Sequence, residues 1–191
     1  MLCGAKKPTY IFTEMLTLPH KPISARFRAG IVEIGLAISV SGAFAGDLPN
    51  PILTPGAVNP EVTQENIHQT ICVKGWTKTI RPPASYTNKL KKKQIAQYGY
   101  ADTNPKDYEE DHLIPLSIGG SPSDPRNLWP EPRKSEWSAG RKDSFEFAMY
   151  KAVCLGEVSL NEARRIFSTN WIEGYKHHEG LLQRFGRGHA D

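Results

Sequence analysis

Apolar side chains return every three or four residues over 136–153, where Phe145, Ala148, Met149 and Ala152 share one face. That period predicts an amphipathic helix with this stripe turned inward. Gly156, two residues after Cys154, supplies a left-handed stop. Ser159 and Glu162 are spaced as a capping box. Behind them Leu160, Ala163, Ile166 and Phe167 predict a last helix, and Trp171, Ile172 and Tyr175 resume its pattern after a break over 168–170.

Upstream the pattern is shorter and changes period. Asn59-Pro60-Glu61 offers a cap, a first-turn proline and a first-turn acid, which predicts a helix over 60–70 burying Val62, Ile67 and Ile71. The stretch 71–83 is β-branched and aromatic around Gly75 and closes on Pro82-Pro83, which predicts a strand or ribbon. On it Lys74, Lys78 and Arg81 would make either a phosphate-facing strip or a solvated strand face. Residues 88–98 predict a helix carrying Leu90 and Ile95, with Lys89, Lys91, Lys92 and Lys93 over much of its surface. Two readings fit those lysines: nucleic-acid binding by backbone charge neutralisation, or an ordinary solvated helix. The proline-rich stretch 46–59 predicts an extended arm, and 180–191 a flexible tail.

Between the helices lies Glu109-Glu110-Asp111-His112-Leu113-Ile114-Pro115-Leu116, then Gly119-Gly120, then Asn127-Leu128-Trp129-Pro130. The double glycine breaks the chain and predicts a hairpin. Trp129 is expected in its core. On extended chain, alternation sends Asp111 and His112 to opposite faces. His112 is a natural general base, since its unperturbed pKa lies near working pH. Asp111 is a hard oxygen ligand for a divalent ion.

The beginning of the chain changes the charge picture. The 191 residues carry a net charge of +4, but Lys6, Lys7, Lys21, Arg26 and Arg28 precede a moderately apolar run over 31–44 that ends at Ala43-Phe44-Ala45. This pattern predicts a cleaved signal peptide over 1–45, with Met15 as a second candidate start and Glu33 as an uncommon interruption. An uncleaved anchor is the other reading, although the run is shorter than a membrane span needs. Without residues 1–45 the chain keeps 19 Lys and Arg against 18 Asp and Glu, so nucleic-acid binding would rest on local patches. Cys72 and Cys154 are then an even pair, expected to form a disulfide in a periplasmic or secreted protein, with two buried thiols as the alternative. No stable membrane association is expected after processing, and nothing in the pattern sets an oligomeric state.

Asp111-His112-Leu113-Ile114-Pro115-Leu116, the Gly119-Gly120 turn, Asp124 and Asn127-Leu128 resemble the first two thirds of the HNH (His-Me finger, ββα-metal) nuclease motif. The resemblance spans 109–146. It implies an α+β domain over 60–179 with a ββα-metal hairpin–helix core wrapped by further helices, and a metal-dependent endonuclease acting on DNA or RNA. In that family pattern His112 activates water, Asp111 holds the ion and Asn127 orients the base. The chain departs from the pattern after Trp129, because 136–149 contains no histidine and no cysteine. A second ligand for Mg, Mn, Ni or Zn would be Asp143, Glu146 or Glu136. Lys142 or Arg141 would steady the scissile phosphate or the leaving group, unless these charges form only an exposed ladder. The rival reading is a non-catalytic exported module that binds nucleic acid or protein on the same scaffold.

Overall fold

The computed structural model describes residues 46–186, and within them the chain is a small α+β arrangement of five α-helices around one two-stranded antiparallel sheet. The expected leader over 1–45 and the residues 187–191 lie outside the described residues. Among the described residues no helix is long and apolar enough to cross a membrane.

Local sequence chemistry explains most of the helices. Helix α1, Trp76–Ile80, starts at Gly75 in the left-handed region, φ 85°. Helix α2 spans Ala84–Tyr98, begins straight after the Pro82-Pro83 pair and ends at left-handed Gly99. Helix α3 is Ala139–Cys154, and Phe145, Ala148, Met149 and Ala152 are all fully buried, as the stripe requires. Helix α4, Leu160–His177, is capped by Ser159, whose side chain accepts from the Glu162 N–H at 3.2 Å. It kinks at Asn170, φ −164° and ψ 94°, inside the expected break. Helix α5 is Glu179–Phe185.

Strand β1, Tyr108–His112, pairs antiparallel with β2, Leu128–Pro132, so that His112 faces Leu128 and Asp111 faces Trp129. The connecting loop folds tightly because of its glycines. Gly119 has φ 75°, and a Cβ on Gly120 would collide with the Ile114 carbonyl oxygen. Arg164 from α4 ties the turn down, donating from Nε to the Ile118 carbonyl at 3.0 Å and from Nη2 to those of Gly119 and Val62 at 3.1 and 2.9 Å. The main core joins Trp129 to Phe145, Met149, Phe167 and Trp171, with Val62, Ile67 and Ile71 packed in. Ile95, Tyr100 and Tyr108 form a smaller cluster under α2. Cys72 and Cys154 are joined by a disulfide, with Cα atoms 5.7 Å apart.

Several expectations need correction. The stretch 71–83 is turns and then α1: with no neighbouring strand to pair with, β-branched residues confer little. The helix expected over 60–70 is a 3-10 turn, Gln64–Gln69, although its three apolar residues are buried as anticipated. The arm over 46–59 is docked. Thr54 is 1% exposed and hydrogen-bonds the Tyr98 hydroxyl at 2.6 Å, and Val58 bridges to Gly120. The stretch 180–186, expected as tail, is mostly α5, which packs on α3 through Leu181 and Leu182 and pairs Arg184 with Glu157 at 2.7 Å.

Candidate active site

Alternation along β1 divides its side chains between two helices. Asp111 points to α3, where Lys142 Nζ donates to its Oδ2 at 2.5 Å. Glu110 and His112 belong to the opposite face, toward α2 and the Pro122 turn. The hairpin therefore carries two separate polar environments, one on each side.

On the α3 side Lys142 is fully buried and is the centre of its cluster. Its ammonium donates to Asp111, to Glu146 one turn along α3, and to the His112 carbonyl at 2.8 Å. Three acceptors use its three protons. Burial by itself would lower the lysine pKa, but Asp111, Glu146 and Glu131 together hold it well above the usual value. Burial is the largest influence on Asp111 and would raise it, but Lys142, Glu131 and His112 together outweigh it, so its pKa is lowered and this carboxylate stays ionised. Glu146 is pushed up to about 8, first by burial and then by Asp111, with Lys142 offsetting part of the shift. Glu131, 0% exposed, is raised well above the carboxylate range by burial, with Asp111 adding to the shift and Lys142 opposing it. One ammonium thus balances one carboxylate, and the other two acids stay protonated near neutral pH.

On the other side the His112 ring is held by the backbone. Its Nε2 lies 2.9 Å from the Pro122 carbonyl oxygen, which can only accept. Nε2 therefore carries the proton and Nδ1 keeps a lone pair. Burial lowers the His112 pKa, which Asp111 partly opposes and Arg81 reinforces, so the ring is neutral at pH 7. It is only 4% exposed, so a water and a phosphate would reach it only after the cover over the ring shifts.

The remaining site candidates fall in different places. Asn127, expected beside the imidazole, makes none of its hydrogen bonds to His112. Its Oδ1 accepts from Ile114 N–H at 2.9 Å and its Nδ2 donates to the Ile114 and Ser121 carbonyls at 3.0 Å. It closes the loop between the strands, and the Pro122 carbonyl orients the ring instead. Asp143 is exposed while Glu146 converges with Asp111, so the helix register favours the residue facing the hairpin. Glu136 is exposed. The Arg141 guanidinium lies over the Trp137 ring, 4.9 Å from its centroid. Lys91 and Lys92 line a cleft beside Tyr108; Lys89 and Lys93 are exposed on α2 outside it.

Glu131 and the Pro122 carbonyl were not among the expected site residues, whereas Arg81 was expected in a phosphate-facing strip or a solvated face. Antiparallel pairing was the available signal for Glu131, since a strand reaching 132 brings residue 131 opposite Glu109 and diagonal to Asp111. Nothing in the sequence marks a backbone carbonyl.

An ion between Asp111 and Glu146 would need the place that Lys142 Nζ fills. As arranged, this donor set does not fit a divalent cation, and among the described residues no group of three or more His, Cys, Asp and Glu could hold one. Comparison with protein-family models, with curated proteins and with solved structures finds no match to this chain.

Proposed function

We propose that this chain is an exported endonuclease of the HNH kind, hydrolysing phosphodiester bonds in DNA or RNA with little sequence preference. The observation that supports it best is His112, held neutral by burial with its proton on Nε2 and its lone pair on Nδ1, at the end of a hairpin that packs on α3. Nδ1 takes a proton from water, the water oxygen bonds to phosphorus, and the bond to the leaving oxygen breaks as that oxygen takes up a proton. Arg81, whose charge helps lower the His112 pKa, would offset charge on the phosphate. The Cys72–Cys154 bond fits a periplasmic or secreted setting. Base-reading elements are not evident, so backbone contacts would dominate binding.

No step is routed through a metal. Divalent-ion dependence, which the motif implies, requires that Lys142 Nζ first leave Asp111 and Glu146. The test is cleavage of plasmid DNA and a structured RNA by the purified protein in Mg²⁺, Mn²⁺, Ni²⁺, Zn²⁺ or EDTA. Cutting is expected, and His112→Ala should lower it by about 10²–10⁴-fold, the usual worth of a general base. Undiminished cutting by that variant removes His112 as the base. Loss in EDTA and rescue by one ion would place that ion in the reaction.

The covered His112 ring and the lysine-filled acidic cluster favour a second reading, a non-catalytic exported module that binds nucleic acid or a protein. Folded protein that binds a strand and cuts nothing under any of these conditions establishes it.

A further inference from the structure

On the α2 side of the hairpin, at the Tyr108 end of β1, an open cleft of about 390 Å³ is lined by Asn88, Lys91, Lys92, Lys106, Tyr108 and Arg133. Asn88, Lys91 and Lys92 share one face of α2 because they are three and four positions apart. Lys106 comes from the short turn Pro105–Asp107, which Asn104 caps by accepting from the Lys106 N–H. Arg133 follows directly on β2. Three separate segments therefore bring their cations to one depression.

These charges are not balanced as those around Lys142 are. Lys91 Nζ and Arg133 Nε both donate to the same neutral acceptor, the Tyr108 carbonyl, at 3.0 and 3.3 Å. Arg133 has an ion pair with Glu109 at 2.8 Å. Among the described residues Lys91, Lys92 and Lys106 have none. Glu110, whose charge Lys91 senses, has no hydrogen-bond partner on either carboxyl oxygen among the described residues, and burial pushes it up to about 8, so near neutral pH it brings little compensation. Burial and Arg133 lower the Lys91 pKa, the cost of holding two cations at one carbonyl. A ligand with several acceptor oxygens and dispersed negative charge answers all of these needs.

We infer that this cleft is a phosphate subsite, which holds a backbone phosphate of a nucleic-acid strand away from the bond at His112. The inference rests on the nucleic-acid reading above but not on hydrolysis. Tyr108 and His112 are four residues apart on β1, about 13 Å at ~3.3 Å per residue. Phosphates of one duplex strand rise by ~3.4 Å each along the axis and also wind around it, so that distance spans only a few nucleotides. One strand can therefore occupy both places, and Lys91, Lys92 and Lys106 would anchor it without reading bases.

The experiment measures binding of a fluorescent oligonucleotide, as duplex and as single strand, over a range of salt, using the full chain with His112→Ala to prevent turnover. Lys92→Glu with Lys106→Glu tests the cleft, and Lys89→Glu with Lys93→Glu is the control on the same helix. All four side chains are exposed, so folding is not at stake. The cleft pair should weaken binding at least tenfold and flatten the log–log salt dependence on duplex by about 2, at ~0.9 per phosphate contact. The control pair should change binding less than threefold. Equal losses in both pairs, no loss in either, or no binding by the parent at low salt would each overturn the subsite. Binding of inorganic phosphate by the parent that is lost in the cleft pair, with oligonucleotide affinity unchanged by that pair, would assign the cleft to free phosphate and overturn the strand. Binding through the cleft without any cutting by the unmodified protein would uphold the subsite and remove only the nuclease reading.

Discussion

On the α3 face of the hairpin a fully buried ammonium meets three acceptors and one ionised carboxylate, and little charge is left over. On the α2 face Lys91 and Arg133 lean on one carbonyl, Lys92 and Lys106 stand without ion pairs, and the nearby Glu110 is largely neutral. Both faces belong to the same ten strand residues. The contrast separates two uses of charge. A buried cation whose acceptors are all supplied internally holds elements together, because removing either side leaves an uncompensated charge in a poor solvent. A half-exposed cluster with unmatched sign has free energy left for a ligand.

The sharpest way to break this contrast is to remove its centre. Lys142→Met should destabilise the protein by about 3–5 kcal/mol at pH 7, the usual cost of breaking a buried pair, read by urea unfolding. A loss below about 1 kcal/mol would mean that the α3 cluster is not holding the hairpin to the helix. Asn127→Ala is the next largest, since it leaves the Ile114 N–H and carbonyl unpaired inside the loop. It should cost about 2–3 kcal/mol, at ~1–3 for each orphaned group. Because Asn127 does not touch His112, this variant should leave the pH profile of cleavage in place, whereas an imidazole-orienting role would shift it.

The pH dependence sets His112 against Glu146, whose contributions carry opposite signs. His112 has a folded pKa below its ordinary 6.5, so its stabilising contribution is complete above 6.5 and is lost as pH falls through the folded value. Glu146 has a folded value raised from 4.5 to about 8, so its contribution is complete below 4.5 and is lost as pH rises through about 8. The two contributions therefore oppose each other below 6.5, and only that of Glu146 changes between 6.5 and about 8, each by at most ~1.4 kcal/mol for every tenfold change in a group's proton affinity on folding. His112→Gln should remove the loss of stability as pH falls below 6.5, and Glu146→Gln the loss as pH rises from 4.5 to about 8. Urea midpoints measured across pH check both.

Much of this architecture was legible as pattern. The stripe Phe145, Ala148, Met149 and Ala152, the Ser159 cap, the interruption at Asn170 and the Gly119-Gly120 turn each act over a few residues, and each is found where the pattern places it. Trp129 is buried in the core as expected. The stretch 71–83 failed as a strand because β-branched residues describe a surface that needs a neighbour, and none comes alongside. The arm over 46–59 and α5 looked frayed because their order comes from distant partners, Thr54 on Tyr98 and Leu181 with Leu182 on the core beside α3.

The candidate site divides along the same line. From the residues alone one can place Asp111 and His112 on opposite faces of a strand, put Glu146 on a helix that follows, and pair Cys72 with Cys154. These follow from chain periodicity and from counting. That Lys142 lies between Asp111 and Glu146, that the Pro122 carbonyl selects the His112 tautomer, and that Asn127 serves the loop and not the ring were settled only by packing. Electrostatic energy depends on which groups share a few ångströms and how much water they keep, and those distances arise from contacts between residues far apart in the chain.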